Sequence, residues 1–440
     1  MRKMKVGALV AAGVLAGGFA ATNASAADLG GNCCADLEER IAELEATTAR
    51  KGNRKVSLTV SGWVGQQVMW WDDGSESNAY VTDLGSTLGS HVKFTGQATI
   101  LPGWTAGYVL HIEAIGSDSL TTNQDTPDGR NALSQSAGQT NGVSTLQSFW
   151  FIKSDQLGKV SVGKQSDAAD NAAILVDGSG SLVPANWVAF DVNSFGIRTK
   201  AGGFVGGPTA TDSALHWGGA YCQSAGGAWG DCFGVPRNVV RYDSPTFGGF
   251  SVSASWGEDD IWAITTRYAG EWHDFKVAAV ASYAESTDEG LNGIVNNNTQ
   301  QYFQAGAYIE HIPTGLFAYG AYGHDAYAND VVGFGDGGQS ETYYLKGGIR
   351  QRWVPLGHTV LYGEYEHIKG SGVFSQSDLA GIGATEDTTK VWGLGVVQEI
   401  DAAAMSIWVK YRHLDYDDNN LSGIAYDNFD YVGMGALINF

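Results

Sequence analysis

From Lys55 almost to the end of the chain, apolar and polar residues alternate with a period of two. Val56, Leu58, Val60, Gly62 and Val64 fall on one face, opposite Ser57, Thr59, Ser61 and Trp63. That period belongs to a β-strand with one apolar face. Comparable runs predict strands over 55–70, 90–101, 104–115, 145–154, 159–165, 238–244, 249–257, 261–272, 274–285, 301–312, 316–325, 341–354, 358–369, 389–400, 403–416 and 429–440, sixteen by this parsing. Each is near the roughly ten residues that a tilted strand needs to cross a bilayer. In the last run Tyr431, Gly433, Gly435, Leu437 and Asn439 point one way. Val432, Met434, Ala436, Ile438 and Phe440 point the other, on a wholly apolar face that ends in an aromatic ring. Such a closing strand fits an outer-membrane barrel, where last and first strands pair and no edge is left.

The connections support this parsing. Short turns at Pro102-Gly103, 155–158, 245–248, His273, 313–315, 355–357 and Asp401-Ala402 alternate with connections that are mostly much longer, 258–260 being a short exception. Short periplasmic turns alternating with long outer loops are an outer-membrane pattern, and an even strand count puts both termini in the periplasm. All 8 prolines fall in turns or loops, as they must, because proline cannot donate to a strand ladder. The expected fold is therefore all-β: a 16-stranded antiparallel transmembrane β-barrel. From about 166 to 238 the alternation weakens. One more hairpin there would give eighteen strands; the preferred reading is a long loop that folds partly into the lumen.

The N-terminus adds an address. Arg2, Lys3 and Lys5 precede an apolar run and then Ala24-Ser25-Ala26, the layout of a secretory signal peptide. Residues 1–26 are read as that signal, 27–54 as a periplasmic segment, and 55–440 as the barrel. Within 35–50, Leu37, Ile41 and Leu44 form two turns of a heptad seam, too short to be stable alone. No other stretch is long and apolar enough for a membrane-crossing helix, so a helical membrane protein does not fit.

Composition agrees with a large sheet carrying aromatic girdles: 61 Gly, 14 Trp and 19 Tyr. Losing the three signal-segment cations takes the formal charge from −21 to −24. So acidic a chain argues against nucleic acid as a partner. Cys222 and Cys232 bracket a small Gly-, Ala- and Ser-rich loop, and in an oxidising compartment they are expected to form a disulfide. Cys33 and Cys34 are adjacent, where a mutual bond is strained.

The segment from Ala35 to Gly62, ADLEERIAELEATTARKGNRKVSLTVSG, resembles the start of mature alphaproteobacterial general porins, and the resemblance continues to Phe440. It implies a homotrimer of sixteen-stranded barrels in the bacterial outer membrane, bedded in lipid and lipopolysaccharide, that passes small hydrophilic solutes and ions by diffusion. It implies no cofactor, and a loop after the fifth predicted strand that narrows each channel. The family's charged constriction maps by position onto the acidic run of Asp167, Asp170, Asp177 and Asp191.

Alternation also assigns the basic residues to the lumen. On 90–101, Val92, Phe94, Ala98 and Ile100 face lipid, so Lys93 faces water; on 145–154, Lys153 does. The same logic sends Arg241, Arg267, Lys346, Arg350, Arg352, Lys410 and Arg412 inward. A cation on the lipid face costs up to roughly 2–4 kcal/mol at mid-depth. A solute-specific sugar channel would want a lengthwise track of lumen aromatics, and Trp63, Tyr344 and Trp408 are scattered. A non-conducting adhesin or structural barrel is the other alternative. No G-x-S-x-G, H-E-x-x-H or P-loop motif is present, so an enzyme is not expected.

Overall fold

The computed structural model describes residues 55–85, 88–117, 119–127, 142–185, 191–218, 236–257, 260–287, 299–327, 339–370 and 383–440. The expected signal segment, the expected heptad seam and all four cysteines lie outside these residues. The strands are β1 (Thr59–Asp72), β2 (Ser77–Thr82), β3 (Ser90–Leu101), β4 (Trp104–Ile115), β5 (Gly142–Ser154), β6 (Gly158–Gln165), β7 (Arg237–Asp243), β8 (Phe250–Gly257) and β9 (Ile261–Trp272). They continue as β10 (Phe275–Ser286), β11 (Gln300–His311), β12 (Leu316–Tyr327), β13 (Gln339–Val354), β14 (Gly357–Gly370), β15 (Asp387–Ile400), β16 (Met405–Asp418) and β17 (Phe429–Asn439).

Each strand from β3 to β17 pairs antiparallel with the next, and β1 pairs with β17 from Trp63↔Asn439 to Asp72↔Asp430. The sheet is thereby closed, and Gly62 and Phe440 exchange both backbone hydrogen bonds at the seam, each 3.0 Å. The seventeen segments occupy sixteen wall positions, because β2 and β3 share one: β2 pairs the upper part of β1 (Gln67↔Thr82) and β3 the lower part (Trp63↔His91). Sequence reasoning read 71–89 as a connection and missed β2, which is 6 residues long and flanked by Asp and Gly. The break is braced by polar groups. One Asp83 carboxylate oxygen accepts from the Gly85 N–H at 2.9 Å and the Ser119 N–H at 3.3 Å, and Glu113 accepts from the Gly89 N–H at 2.9 Å.

The two faces divide as the alternation requires. On β17 and the residue that follows it, Val432, Met434, Ile438 and Phe440 are 37–57% exposed, while Tyr431 and Leu437 are 2% and 6% exposed. Aromatic side chains project outward near both strand ends: Trp70, Trp256, Trp262 and Trp392 on the long-loop side, Phe250, Trp272, Trp353 and Phe440 on the short-turn side. Between them lies an aliphatic band that includes Val64, Ile264, Leu345, Leu394 and Val409. This is the outside of a barrel solvated by lipid.

The buried apolar clusters lie inside the barrel. One joins Ala172, Ala173, Ile174, Val176 and Ala185 to the inward faces of Tyr308, Phe317, Tyr319, Tyr344, Tyr362 and Trp408. Another joins Val192, Phe195, Ile197, Leu215 and Trp217 to Trp71, Leu414, Phe429 and Tyr431. A sixteen-stranded wall cannot fill its own interior. These clusters exist because the connection after β6 supplies the missing apolar partner. Among the described residues of that connection there is no strand, only isolated bridges such as Arg198↔Phe204.

Candidate pore-lining site

The connection after β6 is anchored strand by strand. The Ala168 N–H donates to Ser255 Oγ on β8 at 2.9 Å, and the Ala168 carbonyl accepts from Thr265 Oγ1 on β9 at 2.6 Å. On β11, Gln304 holds the segment twice: its amide donates to the Ala169 carbonyl at 2.7 Å and its oxygen accepts from the Ala173 N–H at 2.8 Å. Tyr319 of β12 donates to the Ala173 carbonyl at 2.8 Å. Two glycines permit this approach. A Cβ on Gly306 of β11 would meet the Ala173 carbonyl oxygen at 2.6 Å, and Gly180, at φ +81°, lies over Arg350 and Glu399. An unpaired buried donor or acceptor costs roughly 1–3 kcal/mol, so polar wall residues that satisfy the backbone of the segment decide where it runs.

Charge completes the seat. Asp177 pairs with Lys346 of β13, both side chains almost wholly buried, and the same ammonium donates to Ser181 Oγ at 3.0 Å and the Ala185 carbonyl at 3.3 Å. Asp191 accepts from Lys410 of β16 at 2.7 Å, from the Tyr431 hydroxyl of β17 at 2.7 Å, and from the Gln67 amide of β1. Arg412 reaches Asp191 at 3.7 Å and grips Glu364 through Nε at 2.7 Å and Nη2 at 3.1 Å. Burial alone would raise the Asp191 pKa; the charges of Lys410 and Arg412 and the hydrogen bonds from Lys410 and Gln67 outweigh it and hold the carboxyl at about 2.

Asp167 and Asp170 sit differently. Asp167 is fully buried and accepts from the N–H groups of Ala169 at 2.7 Å and Asp170 at 2.8 Å, with Arg237 Nε 3.6 Å away. Burial still raises its pKa, against the Arg237 charge and those two hydrogen bonds. Asp170 is pushed up to about 6 by burial and by the Asp167 carboxylate beside it.

Of the expected bases, Arg241 donates to Asp243 and to the carbonyls of Ser166 and Asp167, at 2.8–3.0 Å, and Arg267 donates to Ser253 Oγ at 3.1 Å and the Ala168 carbonyl at 3.3 Å. Arg350 forks onto Glu399 at 2.9 Å. Arg352 sits at the short-turn rim, about half-exposed and paired with Asp401 at 2.5 Å. Asp177 and Asp191 thus meet their bases directly on the wall and not across open water. Lys93 and Lys153 stand apart on β3 and β5: among the described residues no hydrogen bond or ion pair reaches either. Sequence reasoning missed Gln67, Gln304, Glu364 and Glu399. The signal was present, since the alternation that points Arg412 inward points Glu364 inward too, but only the bases were followed.

A closed sixteen-stranded barrel with a lipid-suited outside and a polar, charged inside defines an outer-membrane diffusion channel. The chain belongs to the Gram-negative porin family, whose sequence profile residues 8–429 match. Its fold is similar to an anion-selective porin from Comamonas acidovorans (TM-score 0.55, 14% identity, covering 88% of this chain and 100% of that one). It is also similar to Salmonella typhi OmpF in complex with daunomycin (TM-score 0.53, 15% identity, 88% and 98% covered). No curated protein sequence matches this one. Family and fold make the chain a diffusion channel located in the outer membrane.

Proposed function

We propose that small hydrophilic solutes and ions pass between residues 166–185 and the inner wall of β3 to β6, that this segment forms the narrowest part of the channel, and that anions pass more readily than cations. The observation that carries the reading is the asymmetry of pairing. Asp177 and Asp191 are neutralised by Lys346 and Lys410, whereas Lys93 and Lys153 keep their charge uncompensated on the opposite wall. Charges in a narrow passage with low-dielectric walls bias permeation more than the net charge of outer loops does. Reversal potentials across a salt gradient in planar bilayers test this. The protein should favour chloride over potassium, and Lys93→Gln with Lys153→Gln should reduce that preference at least about twofold. A cation-preferring channel unaltered by the double change would refute it.

The assembly we propose is a homotrimer in contact with lipid and lipopolysaccharide. The ring of Phe440 lies over Gly62 and that of Tyr108 over Gly96, which leaves a flush outer face on β1 and β3 suited to self-packing. No catalytic role is proposed for any residue.

A further inference from the structure

The inner wall of β3 to β6 carries an apolar strip where a water-filled channel has no use for one. On β5 the register pairs Gln147 with His111, Phe149 with Val109, Phe151 with Gly107 and Lys153 with Thr105. His111 is buried inside the barrel against His91, so this whole set faces inward. The outward set is Trp150, Ile152 and Tyr108, all exposed toward lipid. Phe149 and Phe151 are only half-buried. The ring of Phe151 reaches over Gly107, where a Cβ would meet it at 2.4 Å. The strip is bounded by cations at both ends. Lys93 pairs in register with His111, one row above Val109 and Phe149; Lys153 pairs with Lys159, one row below Phe151. Lys159 is bound to Asp243 at 3.0 Å, which leaves Lys93 and Lys153 as the two uncommitted ammonium groups.

Rows on one face of a sheet repeat about every 7 Å along the strand. A planar ring seated on Phe149 and Phe151 therefore puts a substituent within reach of a lysine at either end. We propose that this strip is a binding subsite for aromatic monocarboxylates, with the ring stacked on Phe149 and Phe151 and the carboxylate held by Lys93 or Lys153. The occupant follows from the chemistry of the wall. Half-exposed aromatic faces attract an apolar ring through stacking and removal of surface from water. An uncommitted ammonium group at the margin holds a carboxylate on that ring, and an aliphatic acid lacks the ring. The inference rests on the reading of β3 to β6 as the wall of the conducting passage.

Bilayer currents carried by chloride test it, with benzoate, acetate and benzyl alcohol as probes added at equal millimolar concentration. Benzoate should reduce the chloride current saturably, with a half-maximal concentration about tenfold or more below that of acetate. Benzyl alcohol should act more weakly than benzoate. Phe149→Leu with Phe151→Leu keeps the strip apolar and foldable but removes the rings; it should bring the fractional block by benzoate, scaled to the variant's own open-channel current, down to that of acetate. Lys93→Gln with Lys153→Gln should weaken benzoate and leave benzyl alcohol as it was. Equal reduction by benzoate and acetate in the unaltered protein overturns the subsite, as does a benzoate response that survives loss of both rings. Either result leaves the channel itself standing, because the chloride current is measured first. A protein that carries no chloride current refutes the channel reading and the subsite together.

Discussion

Asp170 and Asp191 are chemically identical side chains on one connection, and their surroundings drive them apart. Asp191 is surrounded by Lys410, Arg412, Gln67 and Tyr431 and stays ionised down to a pH of about 2. Asp170 lies beside the Asp167 carboxylate and reaches about 6. A carboxyl with a raised folded pKa stabilises the folded form fully below its unfolded value, and that contribution is lost as pH rises through the folded value. For Asp170 the window runs from about pH 4 to about pH 6. The seat of residues 166–177 should therefore be held less firmly at neutral pH than in mild acid. Asp170→Asn fixes the uncharged form. Amide hydrogen exchange of this segment should match between protein and variant near pH 3 and show the variant about tenfold or more better protected near pH 7.5. Equal protection at both pH values contradicts the assignment. At this scale the sequence singled out these acidic residues but not their surroundings. Alternation reports which face a strand residue occupies, whereas the environment of a loop carboxylate depends on partners more than a hundred positions away, as with Gln67 and Asp191 or Asp177 and Lys346.

Apart from a 3-10 turn over Ile174–Val176, the described residues of the connection after β6 have no helix or strand of note, and their order comes from the wall beneath them. Gln304 is its most economical anchor, since one amide satisfies both a carbonyl and an N–H of the segment. Gln304→Ala leaves both buried and unpaired, a loss of roughly 2–4 kcal/mol. That loss should appear locally, as faster protease cleavage within 166–185 and a larger single-channel conductance, with the melting of the barrel unchanged. Unaltered cleavage and conductance would show that Gln304 does not hold the segment. The strands were legible because period-two alternation is a local property reinforced at every second residue. Ala172, Ala173, Ile174 and Val176 are buried against the wall. The path of the connection was not legible, because it is set by single polar residues on six or more different strands. The break between β2 and β3 also escaped, since its brace involves Asp83, Glu113 and Ser119 from both sides of the gap.

At the scale of the molecule, the barrel is a wall with two solvents, and in the proposed reading the channel is what the inner segment leaves open. The proposed trimer belongs to this scale. Light scattering of the detergent-solubilised protein should give three copies per particle, and a stable monomer would contradict it. Strand count, closure through Phe440 and an outer-membrane location could all be read from the sequence, because hydrophobic pattern and turn length alone dictate them. Which wall stays open could not, because it depends on the tertiary course of one connection. The most direct test of the whole account is the reversal potential across a salt gradient for two paired changes. Asp177→Asn with Asp191→Asn removes the carboxylates that neutralise Lys346 and Lys410 on β13 and β16, and should shift the channel toward anions. The effect should persist at moderate salt, because a narrow passage is screened less than open surface. Asp72→Asn with Asp417→Asn removes the same formal charge from exposed positions near the long-loop rim, and should do little. Equal shifts from the two pairs would mean that residues 166–218 do not border the conducting path, and would contradict the account.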